Sequence, residues 1–327
     1  MATTPGVIDH QQRSNLPVAE GVEQIVRGEI RKMPRNHSQR AKTIGVKMTC
    51  AIAFGAVLSV AQAANLKPET VKAWEDYVQS ASEGIQAHNN EPAGFLQLYD
   101  RPAVAAKVAR GKIVVIPAGP HIPKKVPFGL IHDWIGTTFI PNTTIKDVLA
   151  IIRDYNKYRE MYPPHVLEAK VTSTEETKDL FSVVLMNRSV IAKTALDFDY
   201  ETVFVRVDDH RMYSITQSKR VQDIADYGTA KQRTLPEGQG TGLIWRLYSV
   251  SRFEERDGGL CVETEAMALS RDIPSALRLV VEPIVRRVSR ESLETALGQT
   301  ATAVRSFVPA STIPVAPTQF AGFRLSR

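Results

Sequence analysis

The stretch that decides the fold is residues 245–270, WRLYSVSRFEERDGGLCVETEAMALS, in which a tight turn separates two strand-like runs. Asp257-Gly258 is a strong signal for a two-residue β-hairpin turn. If Arg256 pairs with Gly259 across this turn, the register of the whole hairpin follows. The stretch therefore predicts two antiparallel strands with a defined partner for each residue.

The hairpin has two different faces, because successive residues of a strand point to opposite sides. One face carries Arg246, Tyr248, Val250, Arg252, Glu263 and Glu265. The other face carries Trp245, Leu247, Ser249, Ser251, Val262, Thr264, Ala266 and Ala268. The second face is small and mostly apolar, so we expect it to lie beneath a helix and to line a ligand cavity with Trp245, Leu247, Ser249 and Ala266. A bulged three-residue turn would shift the register and reverse this assignment.

Upstream of the hairpin, strand-like runs alternate with turn signals from residue 166 onward. Parallel neighbours need a crossover of about a dozen residues or more, so short spacers require antiparallel pairing. We therefore predict one antiparallel meander of consecutive strands: Val166–Ser173, Leu180–Ile191, Thr194–Val207, Met212–Ala225, Gly242–Glu254 and Leu260–Ser270.

Helical periodicity marks three segments around the strands. Residues 67–87 carry an apolar stripe. Thr144 and Asp147 resemble a capping box that opens a helical stretch over Ile145–Tyr162. After Pro274 the chain closes with a long helix whose apolar stripe is Leu277, Val281, Ile284, Val285, Val288, Ala296, Thr300 and Val304. From this helix we expect four residues to face the cavity: Leu277, Val281, Val285 and Val288.

These elements define an α+β domain with helices packed against an antiparallel sheet. We predict a helix-grip fold, in which a curved sheet of about six or seven strands packs around the long C-terminal helix. The chain divides into a leader at 1–63, an N-terminal helical extension and linker at 64–129, the sheet domain at 130–307 and a flexible tail at 308–327. Within the linker, the Pro-rich segment 117–129 is predicted to be a loop.

Four motifs, in this order, resemble the START-like superfamily, also called SRPBCC or helix-grip proteins. They are Trp134–Pro141 (WIGTTFIP), Val148–Pro163 (VLAIIRDYNKYREMYP), Trp245–Gly259 (WRLYSVSRFEERDGG) and Ser270–Pro274 (SRDIP). The resemblance covers roughly residues 130–305 and implies a START-like domain that encloses an apolar ligand. The superfamily includes START lipid-transfer domains and polyketide cyclases, so the fold alone does not separate a carrier from an enzyme.

Residues 48–62 (MTCAIAFGAVLSVAQ) form an uncharged apolar run with two lysines before it and an A-x-A sequence at its end. This order is typical of a secretory signal peptide, and the run is shorter than the ~20 residues of a membrane span. An uncleaved anchor and a buried helix are the alternatives. Met33 offers a start that gives the signal a normal position, with residues 1–32 as a mis-assigned start. We therefore predict a secreted or periplasmic protein, with the signal peptide at about 33–63 and a mature chain from Ala64.

The formal net charge of +6 lies mainly in the leader. Residues 1–63 carry eight of the 41 Lys and Arg but four of the 35 Asp and Glu, which leaves a net charge of +2 for residues 64–327. A nucleic-acid surface needs clustered positive charge, so we exclude nucleic acid as a partner. Oligomeric state and transient membrane contact stay open.

The sequence lacks the signatures of catalysis and of cofactor or metal binding. It has no Gly-rich phosphate loop, no G-x-S-x-G and no C-x-x-C, and its histidines lack metal-ligand spacing. His132-Asp133 could act as a general-base pair, but adjacent residues of a strand point to opposite faces. Cys261, the only cysteine after cleavage, is interpreted as a small buried hydrophobe. No cofactor, metal or catalytic residue is predicted.

Two classes of function fit these observations. The first is a non-catalytic carrier for an apolar or amphipathic small molecule or lipid outside the cytoplasm. The second is a cyclase- or dehydratase-type enzyme acting on a polyketide-like substrate, and a cavity-free interaction module is a third alternative. We predict the carrier, because catalysis needs an acid or base inside the cavity and no such residue stands out.

Overall fold

The computed structural model describes residues 64–89, 94–188 and 193–307, so the predicted leader, signal peptide and tail lie outside the described residues. The helices are α1 (Pro68–Asn89), α2 (Pro102–Val108), α3 (Ile145–Ile152), α4 (Tyr158–Met161) and α5 (Arg278–Phe307). Short 3-10 turns at Tyr155–Lys157 and Ser275–Leu277 precede α4 and α5. In this part of the chain, no helix is long and apolar enough to span a membrane.

The strands are β1 (Ala64–Asn65), β2 (Val114–Pro117), β3 (Lys124–Val126), β4 (Gly129–Pro141), β5 (Val166–Thr174), β6 (Lys178–Arg188), β7 (Lys193–Arg206), β8 (Arg211–Ala225), β9 (Arg233–Thr234), β10 (Gln239–Gly240), β11 (Arg246–Arg256) and β12 (Gly259–Arg271). Ten of them form one sheet in the order β2-β4-β12-β11-β8-β7-β6-β5, with β3 beside β4 and β9 beside β8. The pairs β4–β12, β12–β11, β11–β8, β8–β7 and β6–β5 are antiparallel. This confirms the predicted meander.

The sheet is larger than the six or seven strands predicted, because short segments outside the meander pair with its members. β2 and β3 both pair with β4, and β9 pairs with β8. The prediction of a loop over 117–129 is therefore wrong at Lys124–Val126. These residues form a hairpin with the start of β4, which gives their backbone groups partners.

The β11–β12 hairpin has the predicted register, in which Arg256 pairs with Gly259 and Tyr248 pairs with Met267. Asp257 and Gly258 have positive φ angles of 54° and 77°. Both central residues of a type I′ turn require such angles. The turn chemistry therefore sets which side chains of the hairpin share a face.

The helical stretch predicted over Ile145–Tyr162 begins with the expected capping box but is interrupted after Ile152. The Arg153 guanidinium lies 2.7 Å from the Asp179 carboxylate on β6. The Tyr155 hydroxyl donates to the same carboxylate at 2.7 Å. These bonds hold residues 153–155 against β6. A helix that continued without a break would move these residues away from the sheet, so the helix ends here.

Different parts of the chain cover the two faces of the sheet. α5 packs on the face that carries Trp134, Gly136 and Val262, which we call the inner face. α1 and residues 94–108 pack on the opposite, outer face, where Met267 and Cys261 are fully buried. The sheet is thus the middle of three layers, and the N-terminal extension forms the outer layer.

Candidate functional site

The inner face of the hairpin forms the floor of a groove beneath α5. Six side chains alternate onto this floor, and all six are half-buried: Leu247, Ser249, Ser251, Thr264, Ala266 and Ala268. Their outer-face neighbours Val250 and Met267 are fully buried. A tightly packed helix would bury the floor to a similar extent, whereas α5 makes most of its sheet contacts with β4 and β2. We call the region between these six residues and α5 the groove.

α5 contacts the sheet most closely along its second half. Leu293 and Leu297 are buried against Gly136 of β4, where an added Cβ would lie 3.3 Å and 2.8 Å from their side chains. In the first half of the helix, Val285 and Val288 are only half-buried. The absence of a side chain at Gly136 therefore lets one end of α5 approach the sheet, and the groove lies toward the other end.

The average geometry of helices and strands indicates where the first half of α5 runs relative to β4. α5 follows directly after β12, whose last residue is paired with the start of β4. A helix advances about 1.5 Å per residue and a strand about 3.3 Å, so roughly nine helix residues span about four strand residues. Counting back from the contact at Gly136, we expect Val285 and Val288 to lie near the level of His132 on β4, while Trp134 packs in one cluster with Leu293 and Leu297.

His132 and Trp134 place two buried polar groups on the inner face. Trp134 Nε1 and His132 Nδ1 have no hydrogen-bond partner among the described residues, although Trp134 is only 6% exposed. The other ring nitrogen, His132 Nε2, lies 2.9 Å from Ser270 Oγ. Burial lowers the pKa of His132 to about 4, so the ring is uncharged at neutral pH. The inner face thus offers uncharged hydrogen-bonding groups beside apolar surface.

Six of the eight predicted cavity residues lie on the floor of the groove or on α5: Leu247, Ser249, Ala266, Val281, Val285 and Val288. Leu277 lies in the 3-10 turn before α5. Ala296, which the apolar stripe included, is exposed on the far side of the helix. Contact of these residues with a ligand stays a prediction.

The prediction that Trp245 faces the inner side is wrong, because the regular alternation of β11 begins only at Arg246. The Trp245 indole packs on the outer face with Trp74 and Leu269. Gly242, at a φ of 68°, gives it room, since a Cβ there would lie 2.8 Å from the indole ring. Trp245 instead lines an open cavity of about 620 Å³ at the end of the sheet.

His132 and Asp133 point to opposite faces, as strand alternation predicts, so they do not form a catalytic pair. Asp133 accepts a hydrogen bond of 2.7 Å from the Tyr77 hydroxyl on the outer face. Cys261 is fully buried, and burial raises the pKa of its thiol to about 12, which confirms its interpretation as a buried hydrophobe. Within the described ranges, no cluster of three or more His, Cys, Asp or Glu side chains could hold a metal ion.

A charged cluster buried on the outer face is not predicted by the sequence. Arg252 and Glu263 are fully buried with 3.8 Å between guanidinium and carboxylate. The Glu263 carboxylate also accepts bonds from the three backbone N–H groups of residues 97–99. Charged residues on one face of a strand predict that this face is exposed to solvent, unless another layer of the fold covers it. The sequence signal for that layer is the apolar stripe of residues 67–87, since an amphipathic helix must bury its apolar face.

No protein-family model matches the chain, and no curated protein matches it. Among solved structures, it is similar to a fragment of a STAR-related lipid transfer protein from Xanthomonas axonopodis, at 16% identity over 56% of this chain and 96% of that one, with a TM-score of 0.38. Human STARD10 is similar at 10% identity over 60% of this chain and 70% of that one, with a TM-score of 0.40. The Zhui aromatase/cyclase from a Streptomyces species is similar at 9% identity over 55% of this chain and 97% of that one, with a TM-score of 0.35.

These TM-scores are low, so the matches carry no argument about a ligand or an activity. The fold follows from the topology of the chain itself, in which the C-terminal helix crosses the inner face of an antiparallel meander. The chain therefore has the α+β helix-grip fold that its sequence predicts.

Proposed function

We propose that the protein binds and carries an apolar or amphipathic small molecule, such as a lipid, in the groove. The observation that supports this most directly is the half-burial of the six floor residues beneath a helix, next to outer-face residues that are fully buried. Small side chains such as Ser249 and Ala266 leave space that a ligand can fill. Burial of ~300 Å² of ligand surface contributes roughly 7 kcal/mol before the cost of association.

The polar groups near the groove favour an amphipathic ligand whose polar part is uncharged. Buried hydrogen-bonding atoms normally have partners. Trp134 Nε1 and His132 Nδ1 are closed to solvent, so a ligand hydroxyl or carbonyl that displaced a neighbouring side chain would supply the missing partner. None of the six floor residues is charged. An ionised head group would therefore be buried without a counter-charge, which is strongly unfavourable.

A cyclase- or dehydratase-type enzyme acting on a polyketide-like substrate is the second candidate, and the His132–Ser270 pair favours it. His132 Nε2 lies 2.9 Å from Ser270 Oγ, which is within the hydrogen-bonding distance that proton transfer by a general base requires. However, a pKa of about 4 makes His132 a weak base at neutral pH. Asp133 points to the other face and does not orient the ring. The carrier is therefore the better supported function.

We also propose that the carrier acts outside the cytoplasm, as a secreted or periplasmic protein. The support is the order of the leader, with basic residues, the apolar run 48–62 and the A-x-A sequence that ends at Ala63. The N-terminal residue of the mature protein tests this proposal.

Uptake of the uncharged fluorescent probe N-phenyl-1-naphthylamine tests the carrier proposal. In Ala266→Phe, the new ring fills part of the floor, and loss of about 60 Å² of ligand contact weakens binding about tenfold. Ala296→Phe is the matched control, because it makes the same change on the exposed side of α5 and is expected to keep wild-type affinity. Fluorescence titration gives the affinities, and circular dichroism checks that both variants fold.

The affinity for this probe is expected to stay constant between pH 5 and 9, because His132, with a pKa of about 4, keeps its charge state there. Equal affinities for wild type and Ala266→Phe would overturn the groove as the binding site. A bell-shaped pH profile together with indifference to Ala266→Phe would favour the enzyme instead.

A further inference from the structure

A second cavity, of about 310 Å³, lies on the outer face of the sheet, opposite the groove. Its floor includes Glu265 of β12 and Ile135 of β4, which are paired neighbours. Its walls come from the N-terminal extension, through Gln97, Arg101 and residues 116–120. This volume is at the lower end of the range for small-molecule sites.

Glu265 is the residue that makes this cavity chemically distinctive. Its side chain is only 8% exposed, and its carboxylate makes no hydrogen bond or ion pair with any residue of the described ranges. Glu263, two residues earlier on the same strand, has three backbone N–H donors. A buried carboxylate without such partners is strongly unfavourable. Glu265 therefore lacks donors on the side that faces the cavity.

Asp133 adds a second carboxylate beside Glu265. Ile135 pairs with Glu265, so Asp133 lies diagonally opposite on the same face. Its Oδ2 accepts a hydrogen bond from Tyr77, but its Oδ1 has no partner in the described part of the chain. Burial raises the pKa of Asp133 to about 6. Burial, and then the charge of Asp133, raise the pKa of Glu265 to about 7.

We propose that the outer-face cavity binds a small organic cation whose ammonium group donates hydrogen bonds to Glu265. Such a group supplies the missing N–H donors and a compensating charge at once, and charge-assisted hydrogen bonds of this kind are about twice as strong as neutral ones. A metal ion suits the residues less well, because the described residues offer no set of three or more ligands there. Arg101 also lines the cavity, but it is exposed, so solvent and salt screen its charge.

This site is independent of the proposed carrier function, since it lies on the other face and uses none of the groove residues. It gives the N-terminal extension a role beyond covering the sheet. The charged and titratable groups that surround Glu265, from β4, β11, α1 and the segment before α2, are Asp133, Arg252, Tyr248, Tyr77, His88 and Arg101.

Isothermal titration of the full chain with n-butylammonium chloride, and with n-butanol as the uncharged counterpart, tests the proposal. With a pKa of about 7, Glu265 is about one-tenth ionised at pH 6 and about nine-tenths ionised at pH 8. The affinity for n-butylammonium is therefore expected to rise about tenfold from pH 6 to pH 8. Binding at pH 7 is expected to release protons, while n-butanol is expected to show no such binding.

Two variants and a control locate the effect. Glu265→Gln is expected to abolish n-butylammonium binding, whereas Glu294→Gln, which changes an exposed carboxylate on α5, keeps it. Asp133→Asn is expected to keep binding but to move its pH midpoint to a lower value, because a neighbouring negative charge is removed. Uptake of the naphthylamine probe by Glu265→Gln is expected to match wild type, so the two sites are tested separately.

Three results would overturn the proposal. The first is no binding of n-butylammonium at pH 8, and the second is equal binding of n-butanol. The third is wild-type affinity in Glu265→Gln. If Glu265→Gln failed to fold, the Asp133→Asn titration would decide, and an unchanged pH midpoint there would count against Glu265 as the binding group.

Discussion

Replacement of Glu265 by glutamine is expected to stabilise the protein above neutral pH. The ordinary pKa of a glutamate is 4.5, and burial, with a further contribution from Asp133, raises that of Glu265 to about 7. Between these two values the folded protein holds a proton that the unfolded chain has released. Stability therefore falls as the pH rises through this window and levels off above about pH 7. Glutamine does not titrate, so Glu265→Gln removes this loss.

The size of the effect follows from the gap between the two pKa values. Each pKa unit corresponds to about 1.4 kcal/mol, so ionised Glu265 lowers the free energy of unfolding by roughly 3 kcal/mol at pH 8. At pH 4 the carboxyl is mostly protonated in both states. Wild type and Glu265→Gln are then expected to have nearly the same stability.

Urea unfolding followed by tryptophan fluorescence, at several pH values from 4 to 8, measures this difference. The free energy of unfolding of Glu265→Gln is expected to exceed that of wild type increasingly with pH, and Glu294→Gln is expected to follow wild type. Parallel pH profiles for wild type and Glu265→Gln would refute the reasoning, because they would mean that Glu265 ionises as easily in the folded chain as in the unfolded one.

Two further predictions concern α5 and the leader. Val281→Asp places an unpaired charge at a 6% exposed position and is expected to lower stability by about 3 kcal/mol or more, whereas Leu279→Asp, at a 93% exposed position, is expected to be nearly neutral. Equal thermal midpoints for the two variants would mean that α5 does not grip the sheet. In protein purified from the periplasm or the medium, the N-terminal sequence is expected to begin near Ala64, and a chain that retains residues 48–62 would contradict cleavage.

The features that were predictable from sequence are those encoded by neighbouring residues. The turn Asp257-Gly258 sets the hairpin register, and the capping box at Thr144 sets the start of α3. Once the register is known, alternation places Ser249 and Ala266 on the inner face. Each step depends on a local rule that a single sequence carries.

The features that were not predictable depend on contacts between distant segments. The glycines at 238, 240 and 242 allow the chain before Arg246 to leave the strand pattern, but they do not indicate that Trp245 packs on Trp74, which lies far away in sequence. Likewise, the sequence predicts that Glu265 is exposed to solvent, and only the structure shows that parts of residues 97–120 cover it. The outer-face cavity could not be predicted, because Glu265 on its floor lies more than a hundred residues along the chain from the segments that form its walls.

The three-layer architecture determines which N-terminal truncations of the protein can fold. Residues 64–89 and 94–126 precede β4, yet Glu263 binds the backbone of this part of the chain, and Met267 and Leu269 are fully buried beneath it. A fragment starting at residue 130 would expose these apolar side chains and the buried charges of Arg252 and Glu263 to water. We therefore expect the extension and the sheet to unfold together, and a fragment that begins at residue 130 to be less stable than one that begins at residue 64.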